Sequence, residues 1–381
     1  MKNLKALCYT YSPNVAATRR HLGFFKGLSE AGLNLDVTFV LPDKQYDKVQ
    51  ETIPNVRFSY LWDRVPIKNR YIQMLLFKHY IRRYVGSLKD GDTVLFFNVA
   101  NVLPMVVDKS GIRVFHERNE HPEAVLTGSK VAKITLDKYL ECCRKVDGIF
   151  VITQSLKDYF IQQGVCESKV HVINMFVDGQ KFEGVEPSEG SEDYIAYCGA
   201  GYNQKDGVDT LIKSFAIFNK KYPKVKLYII GPKEDCVDYY SNVELINQLG
   251  ISDSVVFTGV RPNSEIPQML VNSKAVLLSR PKNQQTEYGF PNKLGEYLMS
   301  GVPAVVTRIG DIPSYLKDGE NAMVAEPDNP EDFAEKLIWL FDHPKEAKII
   351  GEKGKETAMK HFNYLTESKK VLDVIKEQNI Q

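Results

Sequence analysis

The 381-residue chain has 43% hydrophobic and 25% charged residues, which is ordinary for a globular protein of two or three domains. Its formal net charge of +1 gives no electrostatic argument for a nucleic-acid partner. No apolar run reaches the roughly 18 residues of a membrane-spanning helix, and the first residues have the pattern of a β-strand rather than a signal peptide. The six cysteines lack metal-ligand spacing, so we expect reduced thiols in a cytoplasmic protein.

Short apolar runs alternate with helical patterns along the chain, which indicates βαβ units and parallel sheets. Strands are predicted at residues 4–9, 35–40, 93–97, 112–115, 148–152 and 170–173, and again at 194–198, 225–230, 255–257, 275–279 and 303–306. We therefore expect an α/β protein of two doubly wound domains that face each other across a cleft. The polar segment 181–193 has the composition of a linker and divides the chain into domains of residues 1–180 and 194–361.

The most informative segment is 279–303, which joins two predicted strands through a polar loop and a short helix. Pro291 suits the first position of that helix, and Gly301 suits the residue after its end. Open α/β sheets bind phosphate-bearing ligands at such a loop, because it lies at the carboxyl end of a strand and leads into a helix N-terminus.

Side chains in the same segment match a nucleotide-sugar ligand. Arg280 and Lys293 supply positive charge for a diphosphate, and Glu296 supplies a carboxylate for sugar hydroxyls. Gly289 has no Cβ that would keep the backbone away from the ligand. The segment therefore predicts a nucleotide-sugar site.

The run from Phe290 through Pro291, Asn292, Lys293 and Leu294 to Tyr297, with glycine and proline following at 301 and 303, resembles a motif of family 4, the retaining group 1 glycosyltransferases. The resemblance extends over about residues 1–370 and implies the GT-B fold of two Rossmann-like domains. It also implies that the helix at 362–381 returns to the first domain. Within the motif it assigns donor contacts to residues 291–293 and to Glu296, which would hold the ribose.

A weaker motif follows the first strand of the second half, with glycines at 199 and 201. A dinucleotide fingerprint would need a third glycine where Gln204 stands, so hydride transfer is disfavoured. The family resemblance instead makes this the phosphate-facing turn. It places Gly199 at the donor and Lys205 where a lysine contacts the donor diphosphate.

The sugar-binding carboxylate of the family falls at an ambiguous position in this chain. Two glutamates separated by seven residues form the family's signature, and the first of them aligns with Tyr288. Glu287 lies one residue earlier, so either the Glu287 carboxylate or the Tyr288 hydroxyl would approach the donor sugar.

The first half carries a second polar group at a strand end, from Phe115 to Pro122. The family resemblance places His116 or Glu117 beside the reaction centre, whereas the residues alone also fit a polar surface turn. The histidine spacing does not suit a metal site on one helix. Asp90 and Asp92 match a metal-binding Asp-x-Asp pattern, but their position before a strand favours a turn. We therefore predict no metal and no cofactor.

Two further segments leave alternatives open. Residues 10–18 lack the paired glycines of the family, so Asn14, Arg19 or Arg20 would have to compensate through side chains. Residues 64–85 mix basic and aromatic side chains. They form either a helix on an anionic membrane surface or an ordinary helix packed on the sheet.

Together these patterns predict transfer of a sugar from a nucleoside-diphosphate sugar to a hydroxyl acceptor. Lys205, Arg280 and the helix start at 291–292 would stabilise the leaving diphosphate. The resemblance implies retention of configuration and an acceptor that is a lipid-linked or growing saccharide of a cell-surface polysaccharide, with the enzyme cytoplasmic or peripheral at the inner membrane face. A nucleotide-sugar epimerase and a non-catalytic nucleotide-sugar-binding subunit are the alternatives.

Overall fold

The computed structural model describes residues 3–13, 16–65, 67–97, 99–128, 134–190, 192–231 and 233–377. It divides the chain into two compact units. The first contains the residues up to Phe176 together with those from Tyr364 onward, and the second is Val177–Asn363. No helix among the described residues has both the length and the apolar character needed to cross a membrane.

The described part of the first unit is built on a parallel sheet with the strand order β3-β2-β1-β4-β5-β6-β7. Its strands are β1 (Asn3–Thr10), β2 (Asn34–Leu41), β3 (Val56–Tyr60), β4 (Thr93–Phe97), β5 (Arg113–Arg118), β6 (Gly148–Val151) and β7 (Val170–Val172). The helices that connect them are α1 (Ala16–Glu30), α2 (Arg70–Leu75), α3 (Phe77–Gly86), α4 (Pro122–Gly128), α5 (Leu136–Lys145) and α6 (Gln154–Gln162).

The second unit repeats this topology, with the order β10-β9-β8-β11-β12-β13 and parallel pairing throughout its described strands. Its strands are β8 (Tyr194–Cys198), β9 (Lys226–Ile230), β10 (Val255–Gly259), β11 (Val276–Leu278), β12 (Ala304–Thr307) and β13 (Met323–Ala325). Its helices are α7 (Asn203–Asp206), α8 (Val208–Lys221), α9 (Tyr239–Gln248), α10 (Ile266–Val271), α11 (Gln284–Tyr288), α12 (Asn292–Met299), α13 (Ile312–Tyr315), α14 (Pro330–Asp342) and α15 (Pro344–His361).

The last helix, α16 (Tyr364–Glu377), belongs to the first unit and packs along α1. The contact is close: a Cβ at Gly27 of α1 would lie 2.2 Å from Oγ of Ser368. Buried Val371 and Ile375 of α16 join the apolar core formed by α1 and the sheet.

The strand order places a topological switch point in each sheet, between β1 and β4 and between β8 and β11. Ligands of open α/β sheets bind at the carboxyl ends of strands beside such a point, because the loops diverge there and leave a crevice. The predicted class of two doubly wound parallel sheets is confirmed.

The sequence analysis missed two strands. In β3 half-buried apolar and exposed polar side chains alternate, as in an edge strand, so a search for continuous apolar runs does not find it. Strand β13 has only three residues, which is too short for a periodic pattern.

The segment 181–193 is not an interdomain connection in the structure, because all of it lies within the second unit. The backbone N–H of Ser188 donates to Oδ1 of Asn272 at 2.8 Å, and Nε2 of Gln268 donates to the Glu186 carbonyl at 2.8 Å. These contacts fix the segment against α10. The chain instead passes between the units after Phe176 and again before Tyr364.

Candidate functional site

The turn after β8 begins the candidate site at the switch point of the second sheet. A Cβ at Gly199 would lie 2.4 Å from the Tyr197 hydroxyl and 2.5 Å from Nζ of Lys293. Gly201 has a φ of +83°, in the left-handed region that glycine adopts readily. The turn therefore needs glycine because a lysine ammonium lies directly against its backbone.

Lys293, in the first turn of α12, is held there by two buried groups. Its Nζ lies 2.6 Å from Oδ2 of Asp206 and 5.0 Å from the centroid of the Tyr197 ring. The Tyr197 hydroxyl donates to the same Asp206 oxygen at 2.6 Å and accepts from the Gly201 N–H at 3.0 Å. The lysine, the aspartate and the turn thus form one hydrogen-bonded network.

The charged groups of this network shift one another's pKa values. Burial alone would raise the pKa of Asp206, but the Lys293 charge and the hydrogen bonds from Lys293 and Tyr197 hold that pKa below its ordinary value. Burial lowers the pKa of Lys293, and the Arg280 guanidinium adds to this effect, whereas Asp206 opposes it. Asp206 therefore favours the protonated form of this half-buried lysine.

The loop after β11 lies beside this network and brings Arg280 to the same edge of the sheet. Oγ of Ser279 donates to the Gly207 carbonyl at 2.6 Å. A Cβ at Gly207 would lie 1.9 Å from the Ser279 carbonyl oxygen, so this junction also needs glycine. Arg280 is only 2% exposed, and one of its Nη atoms lies 3.7 Å from the position of a Cβ on Gly289.

Helix α11 positions Glu287 through its N-terminal cap. The Asn283 side chain accepts from the Thr286 N–H at 3.1 Å and donates to the Gln204 carbonyl at 2.7 Å, which joins this loop to the turn after β8. Glu287 is exposed and Tyr288 half-buried. The carboxylate is therefore the more accessible of the two candidates for a sugar hydroxyl.

The start of α12 completes the edge. Pro291 is its N-cap residue and gives no side-chain cap to the first N–H groups. Asn292 and Glu296 are half-buried, and so is Lys205 in α7. The structure thus brings Arg280, Lys293, Gly199 and Gly289 together at this edge. A direct role for Lys205 stays a prediction.

Asp206 and Tyr197 are residues of this site that the sequence analysis missed. Tyr197 stands in an apolar strand pattern, which is also the pattern of a core residue. Asp206 had one available signal, its place between Lys205 and the glycine that opens α8. Its pairing with Lys293 spans 87 positions of sequence, a distance over which no local pattern operates.

The two candidates in the first unit are fully buried. His116 in β5 has Nε2 at 2.9 Å from the Tyr139 hydroxyl and Nδ1 at 3.3 Å from the Phe96 carbonyl oxygen. Burial, together with the charge of nearby Arg118, lowers the pKa of His116 from its ordinary 6.5 to about 3. His116 is therefore a neutral, hydrogen-bonded side chain.

Glu117 forms a buried ion pair with α1. Nε of Arg20 donates to Oε1 of Glu117 at 2.9 Å, and the Arg20 Nη atoms donate to the carbonyls of Asn174 and Ile173 at 2.6 and 3.0 Å. Burial raises the pKa of Glu117, although the Arg20 charge opposes the rise. The surface turn considered from the sequence is therefore wrong for these two residues, since β5 extends to Arg118 and both lie inside the sheet. Their part in the reaction stays a prediction.

Asp92, a candidate metal ligand in the sequence, lies directly before β4. The Asp92 carboxylate accepts from the Lys89 N–H at 2.8 Å and pairs with Lys5, as expected of a turn residue. Across the described ranges, no group of three or more His, Cys, Asp and Glu residues has the arrangement of a metal site. Asn14 lies outside the described residues.

A comparison with known proteins matches the part of the chain that contains this edge. A family model described as "Glycosyl transferases group 1" matches residues 180–357, which include every residue of the site in the second unit. Over these residues the chain is similar to the group 1 glycosyltransferases, in agreement with the motif found in the sequence.

Individual relatives are distant. The chain is 22% identical over 311 residues to an uncharacterised glycosyltransferase of Methanocaldococcus jannaschii, an alignment that covers 74% of this chain and 81% of the relative. It is 27% identical over 223 residues to the MMP alpha-(1->4)-mannosyltransferase of Mycolicibacterium hassiacum, covering 56% of this chain and 50% of that protein. The chain therefore spans about half the length of this second relative.

A solved structure shows the same fold over the whole chain. Anabaena HepE, crystallised in complex with UDP and glucose, is similar with a TM-score of 0.74 and 15% identity, covering 99% of this chain and 100% of that one. The predicted GT-B fold is thereby confirmed.

Proposed function

We propose that this protein transfers a sugar from a nucleoside-diphosphate sugar to a hydroxyl acceptor. The observation that carries the proposal is that two cations, Arg280 and Lys293, lie together at the switch point of the second sheet. Arg280 is 2% exposed and the Lys293 side chain 19% exposed, and both share the edge with the buried Asp206. Cations placed in such a low-dielectric position interact strongly with an anionic ligand.

The surrounding backbone suits a diphosphate between these two cations. A Cβ at Gly199 would lie 2.5 Å from Nζ of Lys293 and one at Gly289 would lie 3.7 Å from an Nη atom of Arg280, so the absence of both Cβ atoms leaves room for the ligand beside the cations. Pro291 leaves the first N–H groups of α12 without a side-chain cap. Helix N-termini of this kind favour anions. We expect the charge of the leaving diphosphate to be stabilised here by the protein without a metal ion.

The carboxylates of the edge would bind the hydroxyls at the two ends of the donor. Glu296, three residues after Lys293 on α12, is proposed to accept from the ribose. Glu287 is proposed to accept from the donor sugar, which fits its exposure on α11. Carboxylate acceptors form the stronger, charge-assisted kind of hydrogen bond with hydroxyl groups.

The outcome of the reaction is part of the same proposal. Glycosyl transfer proceeds through a transition state that resembles an oxocarbenium ion, so water has to be excluded while the acceptor hydroxyl attacks. We propose retention of configuration and an acceptor that is a lipid-linked or growing cell-surface saccharide, on the cytoplasmic side of the membrane. The two named proteins, a mannosyltransferase and one crystallised with UDP and glucose, make UDP-sugars and mannose-carrying donors the first to test.

The test begins with thermal unfolding in the presence of UDP, GDP, ADP and their common sugar conjugates, because a ligand that binds the folded protein raises its unfolding temperature. The stabilising donor is then incubated with saccharide acceptors, and the products are separated by chromatography. A new glycoside is expected, and NMR of its anomeric proton assigns retention or inversion. An isomerised donor would instead identify an epimerase, and binding without turnover a non-catalytic subunit.

The variant that tests the site is Arg280→Gln combined with Lys293→Gln. Loss of two charge-assisted contacts is expected to weaken nucleoside-diphosphate binding about a hundredfold or more. Lys213→Gln, an exposed lysine on α8, is the matched control and should bind as the unmodified protein does. Unchanged affinity in the double variant would refute the site.

A further inference from the structure

Helix α2 places apolar side chains in solvent. Tyr71 is 81% exposed and Leu75 is 83% exposed, and these residues are four apart, so they lie on the same side of the helix. Ile67 and Ile72 nearby are 44% and 36% exposed. Single exposed apolar residues are ordinary, but four within nine residues form a patch that suggests a binding surface. We call these four residues the apolar face.

The next helix, α3, has the opposite arrangement. It buries its apolar side chains in the first unit, namely Phe77, Tyr80, Ile81 and Tyr84. Its outward side is basic, with Lys78, His79, Arg82 and Arg83 exposed. Of the two interpretations of residues 64–85, ordinary packing therefore describes α3 and leaves the apolar face of α2 unexplained.

The charge of this segment is of one sign. From residue 64 to residue 89 the sequence contains no aspartate or glutamate. Over the same stretch it contains seven basic residues: Arg64, Lys68, Arg70, Lys78, Arg82, Arg83 and Lys89. The chain as a whole has a net charge of only +1, so this basic surface is a local feature.

Helix α15 shows that exposed apolar side chains are not always accompanied by charge of one sign. It also exposes two apolar side chains, Ile349 at 50% and Met359 at 55%. Its sequence, however, alternates lysine with glutamate, and Lys348 lies 4.0 Å from Glu352. Exposed apolar residues thus occur elsewhere on the described chain, but on this helix they lie among charges of both signs.

We propose that α2 and the outward side of α3 dock on an anionic lipid surface. Tyr71 and Leu75 enter the boundary between headgroups and acyl chains, where the tyrosine keeps its hydroxyl at the polar level. Lys78, Arg82 and Arg83 meet the lipid phosphates. A second copy of the chain fits this surface poorly, because two such faces would bring like charges together.

The experiment is sedimentation of the full chain with vesicles. We expect binding to vesicles of phosphatidylcholine mixed with phosphatidylglycerol, little binding to phosphatidylcholine alone, and weakening as salt is added. Tyr71→Ser with Leu75→Ser, and separately Lys78→Gln with Arg82→Gln, should each weaken binding about tenfold or more. Ile349→Ser with Met359→Ser is the matched control and should bind normally.

Several results would overturn the proposal. These are no binding to the anionic vesicles, equal binding by all variants, or an equal loss in the control. If Tyr71→Ser with Leu75→Ser turns a dimer into a monomer in the absence of lipid, the face belongs to a second copy. Each variant is checked by urea unfolding followed through Trp62 in a Trp339→Phe background. Trp62 lies in the first unit with α2 and α3, so this measurement establishes correct folding there and does not depend on the donor-site proposal.

Discussion

The carboxyl edges of the two sheets have the same strand order beside their switch points, yet they hold charge in different ways. In the first unit Arg20 is paired with Glu117 and bonded to two carbonyls, and His116 is neutral with both ring nitrogens in contact. In the second unit Arg280 and Lys293 share an edge with Asp206. The first edge has the features of a structural network, and the second has those of an anion-binding site. The following predictions test this difference, from the largest expected effect to the smallest.

The largest effect is expected from Arg20→Met, which leaves the Glu117 carboxylate buried without its partner. Breaking a buried ion pair in this way costs about 3–5 kcal/mol in the free energy of unfolding. The chain has two tryptophans, Trp62 in the first unit and Trp339 in the second, so urea unfolding followed in a Trp339→Phe background reports on the first unit.

Adding Glu117→Gln to Arg20→Met should recover part of the lost stability, since the buried charge is then removed. Donor binding in the second unit should change little in either variant. A marginal loss of stability in Arg20→Met would show that the first edge does not depend on this pair.

The second prediction concerns acid. The unfolded chain takes up a proton on His116 near the ordinary pKa of 6.5, whereas the folded protein does so only near 3. Stability is therefore complete above pH 6.5 and falls as the pH drops toward 3, by about 1.4 kcal/mol per pH unit for this group.

Urea unfolding of His116→Gln from pH 7 to pH 5 measures this contribution. The variant should show a shallower loss with falling pH, and the slope that remains would include buried His21, whose pKa is also lowered to about 3. His79→Gln replaces an exposed histidine and should leave the slope unchanged. An unaltered slope in His116→Gln would contradict the neutral, buried histidine.

The third prediction is steric and concerns the second edge. In Gly199→Ala the new methyl group would lie 2.5 Å from Nζ of Lys293, so the lysine must move. We expect nucleoside-diphosphate affinity to fall about tenfold, the usual scale for one displaced charge-assisted contact. Titration calorimetry measures it, with Gly86→Ala as control because a Cβ there meets no atom within 4 Å.

The smallest effect is expected from Asp206→Asn. Without this carboxylate, burial and the Arg280 charge lower the pKa of Lys293 further, so the ammonium is lost at a lower pH. Affinity for the diphosphate should be nearly normal at neutral pH and fall several-fold as the pH is raised, at a lower pH than in the unmodified protein.

Tyr197→Phe removes a hydrogen bond from the same network but no charge. It should therefore leave the pH dependence of binding unchanged, whatever it does to the affinity. Parallel pH profiles for Asp206→Asn and the unmodified protein would mean that Asp206 does not control the charge of Lys293.

The candidate site could be predicted in its loops and glycines but not in its pairings. Arg280, Lys293 and Gly289 were found because they lie in one segment whose strand–loop–helix pattern has a known geometry. Asp206 and Tyr197 were missed because their contact with Lys293 joins β8 and α7 to a helix about 90 residues later. The sequence left Glu117 at a strand end, either beside the reaction centre or in a surface turn, since nothing local shows that Arg20 pairs with it.

The sequence by itself determined most of the strands and helices, the class of the fold and the segment that we propose to bind phosphate, because each follows from hydrophobic periodicity and turn residues over short distances. The tertiary structure decided which cation is held by which carboxylate, which polar residues are buried, and which helix leaves its apolar side exposed. These properties depend on contacts between residues far apart in the chain, such as Arg20 with Glu117 and Lys293 with Asp206, and burial fixes both their charge and their function.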